Sequence, residues 1–219
     1  MTKSHIKTVT GLVVTGAVGF YLYFLFNPHP DFELRPHEQL GHVVAEEALK
    51  LLGKDGRIIV FARDTASFDM PAIEAQWNAF CRRIAETKVK IASTNLLKLD
   101  PLRPTSVPPA AVFDRLARAK SGDVLVSFTG PAELSEDQLR KLGNKVIPIV
   151  AICSGDLPKR VNLRKLFEQQ LLRTAIISRP IPKSVPNSNS SAQSWFDAFF
   201  QIVTTNNLDD LPRPRKEQQ

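Results

Sequence analysis

The chain has 219 residues, 43% of them hydrophobic, and 29 basic against 22 acidic residues give it a net charge of +7. That is enough apolar material for one domain of ordinary size with a real core. Basic residues such as Arg82, Arg83, Lys88, Lys90, Arg115 and Arg118 are spread over segments that read as amphipathic helices, with no dense basic run among aromatics, which argues against nucleic acid as a partner.

At the amino end, "TVTGLVVTGAVGFYLYFLFNP" (8–28) carries no charge. Its apolar core of about 18 to 20 residues matches a membrane-spanning helix. Tyr21 and Tyr23 lie toward one end, where amphipathic rings favour the interface. Lys3 and Lys7 precede the segment, whereas Asp31, Glu33 and Glu38 follow it with a single Arg35. The positive-inside bias therefore predicts a cytoplasmic amino terminus (1–7) and a single-pass anchor in the inner (cytoplasmic) membrane, with the rest of the chain extracytoplasmic. A cleaved signal peptide is the competing reading. It lacks support because the apolar run ends in Phe24-Leu25-Phe26 rather than in small residues.

Residues 29–37 are expected to be a spacer, because "NPHPDFELRP" holds three prolines. A folded domain is expected over 38–212, followed by a disordered tail over 213–219. Leu40, Val43, Val44, Ala48, Leu51 and Leu52 form one helical stripe, with Gly53 at the cap position. Helix-like and strand-like segments then alternate. "RIIVFA" is a continuous apolar strand. "PAIEAQWNAFCRRIAETK" is a helix whose inner face holds Ile73, Trp77, Phe80 and Ile84, and Trp77 and Phe80 read as core rather than as a stacking platform. "VKIASTNLL" is a strand; "PAAVFDRLARAKSG" a helix with Val112, Leu116 and Ala119 inward; "DVLVSFTG" a buried strand. Ser135 and Gly143 bracket a short helix. "KVIPIVAICSG" is a strand despite Pro148, which costs a ladder donor. Asn162 caps the helix "NLRKLFEQQLL", and "RTAIISRP" is the fifth strand. "SWFDAFFQIVTTNNLDDLP" reads as a short helix leading to a strand that pairs with the sheet edge.

Five strands alternating with helices, several of them apolar on both faces, predict an α/β fold: three layers, a parallel sheet with helices on both faces. Ligands of such sheets sit outside the carboxyl ends of the strands. The exits here carry Asp64 and Thr65, Thr129 and Gly130, Asp156, and Arg179. Charge-assisted hydrogen bonds from these residues would hold a small polar ligand. The alternative is that charged residues such as Arg63-Asp64 merely mark where a buried strand meets water.

Catalytic patterns are missing. No histidine follows His42, so a nucleophile in the α/β body has no imidazole base. The phosphate-cradling Gly-rich loops and the Gly-x-Ser-x-Gly elbow are absent too. The expectation is a non-enzyme with no cofactor and no metal. Cys81 and Cys153 are far apart and flanked by apolar residues, so they read as buried thiols rather than a disulfide. His37 and His42 are five residues apart and share no helix face, so they do not read as a metal pair.

The order of segments resembles one lobe, the carboxyl-terminal one, of the type I periplasmic binding proteins, the ribose-binding-like sugar receptors. "EQLGHVVAEEALKLLGKDGRIIVFARD" is similar to the helix, "Gly-Lys-x-Gly" turn and buried strand that open that lobe. "AIEAQWNAFCRRIAETKVKI" is similar to its next helix, and "GDVLVSFTGPAEL" and "KVIPIVAICSGDLPKRVNLRKLFEQQLLRTAIISRP" to its next strand–helix units. "FFQIVTTNNLDDLP" is similar to its closing "Val-Thr-x-x-Asn" segment. The resemblance implies a substrate-binding domain for a sugar-like ligand. It departs in having one lobe, in placing Thr129-Gly130 where family members often carry a polar pair, and in setting Asp156 one glycine further on. Half a site needs a cover, so a homodimer or a partner membrane protein is expected to supply it. The alternative is a structural or interaction subunit of a membrane complex that uses the fold as a scaffold, with the basic helices and "WFDAFF" as its contact surface.

Overall fold

The computed structural model describes residues 15–22, 33–66, 69–98, 107–143, 147–179, 186–187 and 189–211. The chain divides into two compact units, Met1–Glu33 and Leu34–Gln219. In the first, residues 15–22 are helical and exposed. The remainder of the expected anchor, the expected cytoplasmic segment 1–7 and the expected tail 213–219 lie outside the described residues. Among the described residues no helix is long and apolar enough to cross a membrane.

The second unit is built on a six-stranded sheet of order β2-β1-β3-β4-β5-β6, from β1 (Ile58–Arg63), β2 (Ile91–Leu97), β3 (Val124–Ser127), β4 (Ile149–Cys153), β5 (Leu172–Ser178) and β6 (Phe200–Val203). The first five run parallel; β6 pairs antiparallel with β5, Ile176 opposite Ile202. β1, β3 and β4 are buried residue after residue apart from Arg63 at the end of β1, because helices cover both their faces. β2 alternates half-buried and exposed residues, as an edge strand with one face in water does.

On one face lie α1 (Arg35–Leu51), α2 (Pro71–Ala85) and α7 (Ala192–Phe199). Their Leu40, Val44, Phe80, Ile84 and Phe196 pack against Ile58, Val60, Val126, Ile152 and Ile176. On the other face lie α3 (Pro109–Arg118), α4 (Glu136–Leu142) and α6 (Leu163–Glu168). Val112, Leu116, Leu142, Leu166 and Phe167 pack there against Ile59, Phe61, Leu125, Ile149 and Ala151. The strand period of two sends alternate residues of β1 into opposite cores, which is why each central strand must be apolar throughout. A single helical turn, α5 (Leu157–Arg160), follows β4, and a 3-10 helix (Thr205–Asp210) follows β6.

The local signals work as expected at several ends. Ser135 and Gln138 form a reciprocal capping box on α4, and Asn162 Oδ1 accepts from Lys165 N at 3.1 Å on α6. Three expectations change. α1 begins at Arg35, inside the expected spacer, because Pro36 suits a first helical turn and its ring is buried. Pro148 lies just outside β4 rather than within it; its carbonyl accepts from Leu125 N at 3.0 Å and its missing N–H costs no ladder bond. The aromatics of "WFDAFF" do not form an exposed contact surface: Trp195, Phe196 and Phe200 are buried and Phe199 is half-buried, because α7 lies on α1 and the sheet.

The amino end of the sheet is closed by charge. Asp123, fully buried, accepts from Arg57 N (2.9 Å), Arg57 Nη2 (2.9 Å) and Lys120 N (3.0 Å). Burial pushes its carboxyl up, but the Arg57 guanidinium and the two backbone donors outweigh that and hold it below the usual range. Gly56 lies against Gly122, where a Cβ would sit 2.0 Å from the Gly122 carbonyl oxygen.

Candidate functional site: a cleft at the strand exits

Chain order reverses between β1 and β3: from β1 the chain moves outward to β2, then crosses back to β3. The helices after these two strands lie on opposite faces, so a crevice opens outside their carboxyl ends. A cleft of about 550 Å³ occupies this place. Arg63 from the end of β1, Thr129 after β3, Ser154 and Asp156 after β4, and Arg160 of α5 supply its polar lining, over a floor of Phe128 and Ile152.

The turn after β3 shapes this floor. Ser127, buried, donates from Oγ to the Gly130 carbonyl at 2.5 Å and accepts from Thr129 N at 3.4 Å. Gly130 has φ +90°, and a Cβ on it would sit 2.3 Å from Leu157 Cδ1. Gly130 thus lets α5 close onto the turn that presents Thr129, whose Oγ1 lies 3.5 Å from Ser127 Oγ. Asp156 is exposed at the head of α5, and its Oδ1 accepts from Lys159 Nζ at 3.1 Å. Arg63 is half-buried, and removal from water works against its charged form.

A second groove of about 260 Å³ adjoins the first, sharing Arg63 and Phe128. Asp64, Thr65, Glu74, Trp77 and Leu96 complete it. Trp77 stacks on Phe80 at 5.9 Å and meets Phe128 edge-on at 5.8 Å, so it belongs to the core on one side while the other side faces the groove. Asp64 Oδ1 accepts from Ala66 N at 3.1 Å, which folds the chain back after β1.

The six residues expected at the site are therefore distributed. Thr129 and Asp156 line the main cleft, Asp64 and Thr65 line the adjoining groove, and Gly130 shapes the turn between β3 and α5. Arg179 lines neither. Its Nε donates to the carbonyls of Asp197 (3.0 Å) and Phe200 (3.1 Å) and its Nη1 to Gln201 Oε1 (3.0 Å), pinning α7 and the antiparallel β6 to the end of β5. Arg63, Ser154 and Arg160 are polar residues of the main cleft that were not among the six expected at the site. For Arg63 the signal was present: it is the last residue of an otherwise apolar strand. Arg160 had none, because its place depends on the turn α5 makes after β4.

No protein-family model matches the chain, and no curated protein matches it by sequence. Solved structures do. A putative LacI transcriptional regulator from Bacteroides fragilis matches with a TM-score of 0.52 at 12% identity, over 79% of this chain and 61% of that one. An ABC sugar transporter subunit from Rhodobacter sphaeroides 2.4.1 matches with a TM-score of 0.50 at 11% identity, over 78% of this chain and 63% of that one. The chain has a type I periplasmic-binding-protein-like fold. A carbohydrate transporter solute binding protein from Agrobacterium radiobacter, in complex with D-arabinose, is similar more distantly, with a TM-score of 0.47 and 13% identity over 80% and 61% of the two chains. The periplasmic-binding-protein-like domain thus spans less than two thirds of the length of these structures.

Proposed function

We propose that the chain is a non-catalytic, single-lobe receptor domain that binds a small polar, sugar-like ligand at the exits of β1, β3 and β4. The observation that carries this reading is the cleft itself. Arg63, Thr129, Ser154, Asp156 and Arg160 converge from three neighbouring parallel strands at the point where chain order reverses. The ligand class is drawn from the sugar transporter subunit that shares the fold. The cleft is open on one side, so hydrogen bonds to a ligand compete with water and affinity is weak until something covers it. A second copy of the chain or a partner membrane protein would be that cover. Residues 8–28 would anchor the domain in the cytoplasmic membrane, with the domain on the extracytoplasmic side.

The test is isothermal titration of the full-length chain in detergent micelles against a panel of pentoses and hexoses, free and in sugar-acid or phosphorylated form. Saturable binding in the millimolar to high-micromolar range, lost in Thr129→Val together with Arg63→Ala, is expected. A folded chain that gives no heat with any sugar overturns the receptor reading. For the anchor, alkaline carbonate should leave the chain in the membrane pellet, and protease added from the extracytoplasmic side should digest the domain. Release into the supernatant overturns the anchor.

A further inference from the structure

Charge divides the two adjoining grooves. Among the described residues, the main cleft is lined by two guanidinium groups, Arg63 and Arg160, against one carboxylate, Asp156, and that carboxylate receives Lys159 Nζ at 3.1 Å. The adjoining groove has the opposite sign, with Asp64 and Glu74 against the shared Arg63. A neutral polyol gains little from a surplus of positive charge, because its hydroxyls are served equally by acceptors and donors. An anion gains a great deal: a guanidinium offers paired N–H donors whose spacing matches two oxygens of a carboxylate or phosphate. The two arginines also differ in setting. Arg63 ends a buried strand and is half-buried, which fixes its position and strengthens a charged contact; Arg160 stands exposed on the single turn of α5.

Resting on the receptor reading above, we infer that the ligand of the main cleft is an anionic sugar derivative, carrying a carboxylate or a phosphate, and that Arg63 and Arg160 receive this group while Thr129 and Ser154 meet its hydroxyls. The acidic second groove repels the anionic end and so fixes the ligand's direction. Carboxylate and phosphate alike present paired oxygens to a guanidinium.

The experiment is titration of the full-length chain in micelles with glucose, glucuronate, glucose 6-phosphate and inorganic phosphate, at low and at high salt. At least one of the two anionic sugars should bind about tenfold or more tightly than glucose, with the advantage shrinking as salt rises. Which of them leads separates a carboxylate ligand from a phosphate one. In Arg160→Gln, an exposed position where the fold should be untouched, this advantage over glucose should fall to about twofold or less. Arg63→Gln should remove the rest, with circular dichroism confirming the fold. Glucose binding as well as or better than both anions overturns the inference and leaves the receptor reading standing. No binding by glucose or either anion overturns both. Inorganic phosphate matching glucose 6-phosphate removes the sugar from the ligand and overturns the receptor reading.

Discussion

The two ends of the sheet treat charge in opposite ways. At the amino end Asp123 is buried and every strong interaction it makes is internal: Arg57 through side chain and backbone, and the backbone of Lys120. At the carboxyl end Arg63, Asp156 and Arg160 stand around an open cleft of about 550 Å³. The same residue types thus do two jobs. The closed cluster holds strands and turns in register, whereas the other set lines the cleft at the reversal of chain order. Parallel strands make this asymmetry unavoidable, because all five amino ends lie at one edge and all five exits at the other.

Substitutions at the two ends should separate stability from binding. Asp123→Ala should have the largest effect on folding, about 2 to 4 kcal/mol, because it leaves the backbone donors of Arg57 and Lys120 without their acceptor, while the partly exposed Arg57 guanidinium regains water. The expected reading is a fall of roughly 10 °C in thermal midpoint. A fall of only a degree or two would show that the buried carboxylate does not hold the amino end together. Next comes Gly56→Ala, whose added methyl would meet the Gly122 carbonyl at 2.0 Å; a loss of about 1 to 3 kcal/mol is expected in chemical denaturation. At the open end the pattern inverts. Arg160→Ala should leave stability within about 0.5 kcal/mol, as an exposed position does, yet weaken the anionic ligand severalfold. Comparable losses of stability at both ends would remove the distinction.

The smallest effect is one of pH. His37, on α1, faces α2 and β6, its Nδ1 accepting from Gln76 Nε2 at 2.9 Å and its ring edge-on to Phe200 at 6.3 Å. Burial pushes its pKa below the ordinary value. As pH falls, the unfolded chain therefore takes up this proton first. The contribution is complete above about pH 6.5 and is lost as pH falls from there toward the folded-state value. His37→Gln should flatten the stability profile as pH falls below about 6.5, the smallest of these effects, measured by denaturation at stepped pH. An unchanged slope would mean that His37 is solvated in the folded chain.

The fold was legible because its signals are local and repeated. Continuous apolar runs such as Ile58–Ala62 and Ile149–Cys153 require cover on both faces, and helices between them leave only parallel pairing. Even the closing strand could be read, since Phe200–Val203 follows a short aromatic helix and takes the edge beside β5. The site was half legible. Thr129 and Asp156 follow directly from being next in chain after buried strands. Arg179 has the same sequence position and a different fate, because the antiparallel β6 and α7 close over the end of β5 and take up its donors. Arg160 lies seven residues beyond β4, and nothing along the chain says that α5 will turn it back toward Arg63.

Sequence by itself determined which segments are buried, in what order they alternate and where strands stop, because burial and helical period are properties of neighbouring residues. Tertiary structure alone decided which exits share a cleft and which charges are already spent. Those depend on strand order in the sheet and on a positive-φ glycine against Leu157, neither of which any one segment encodes.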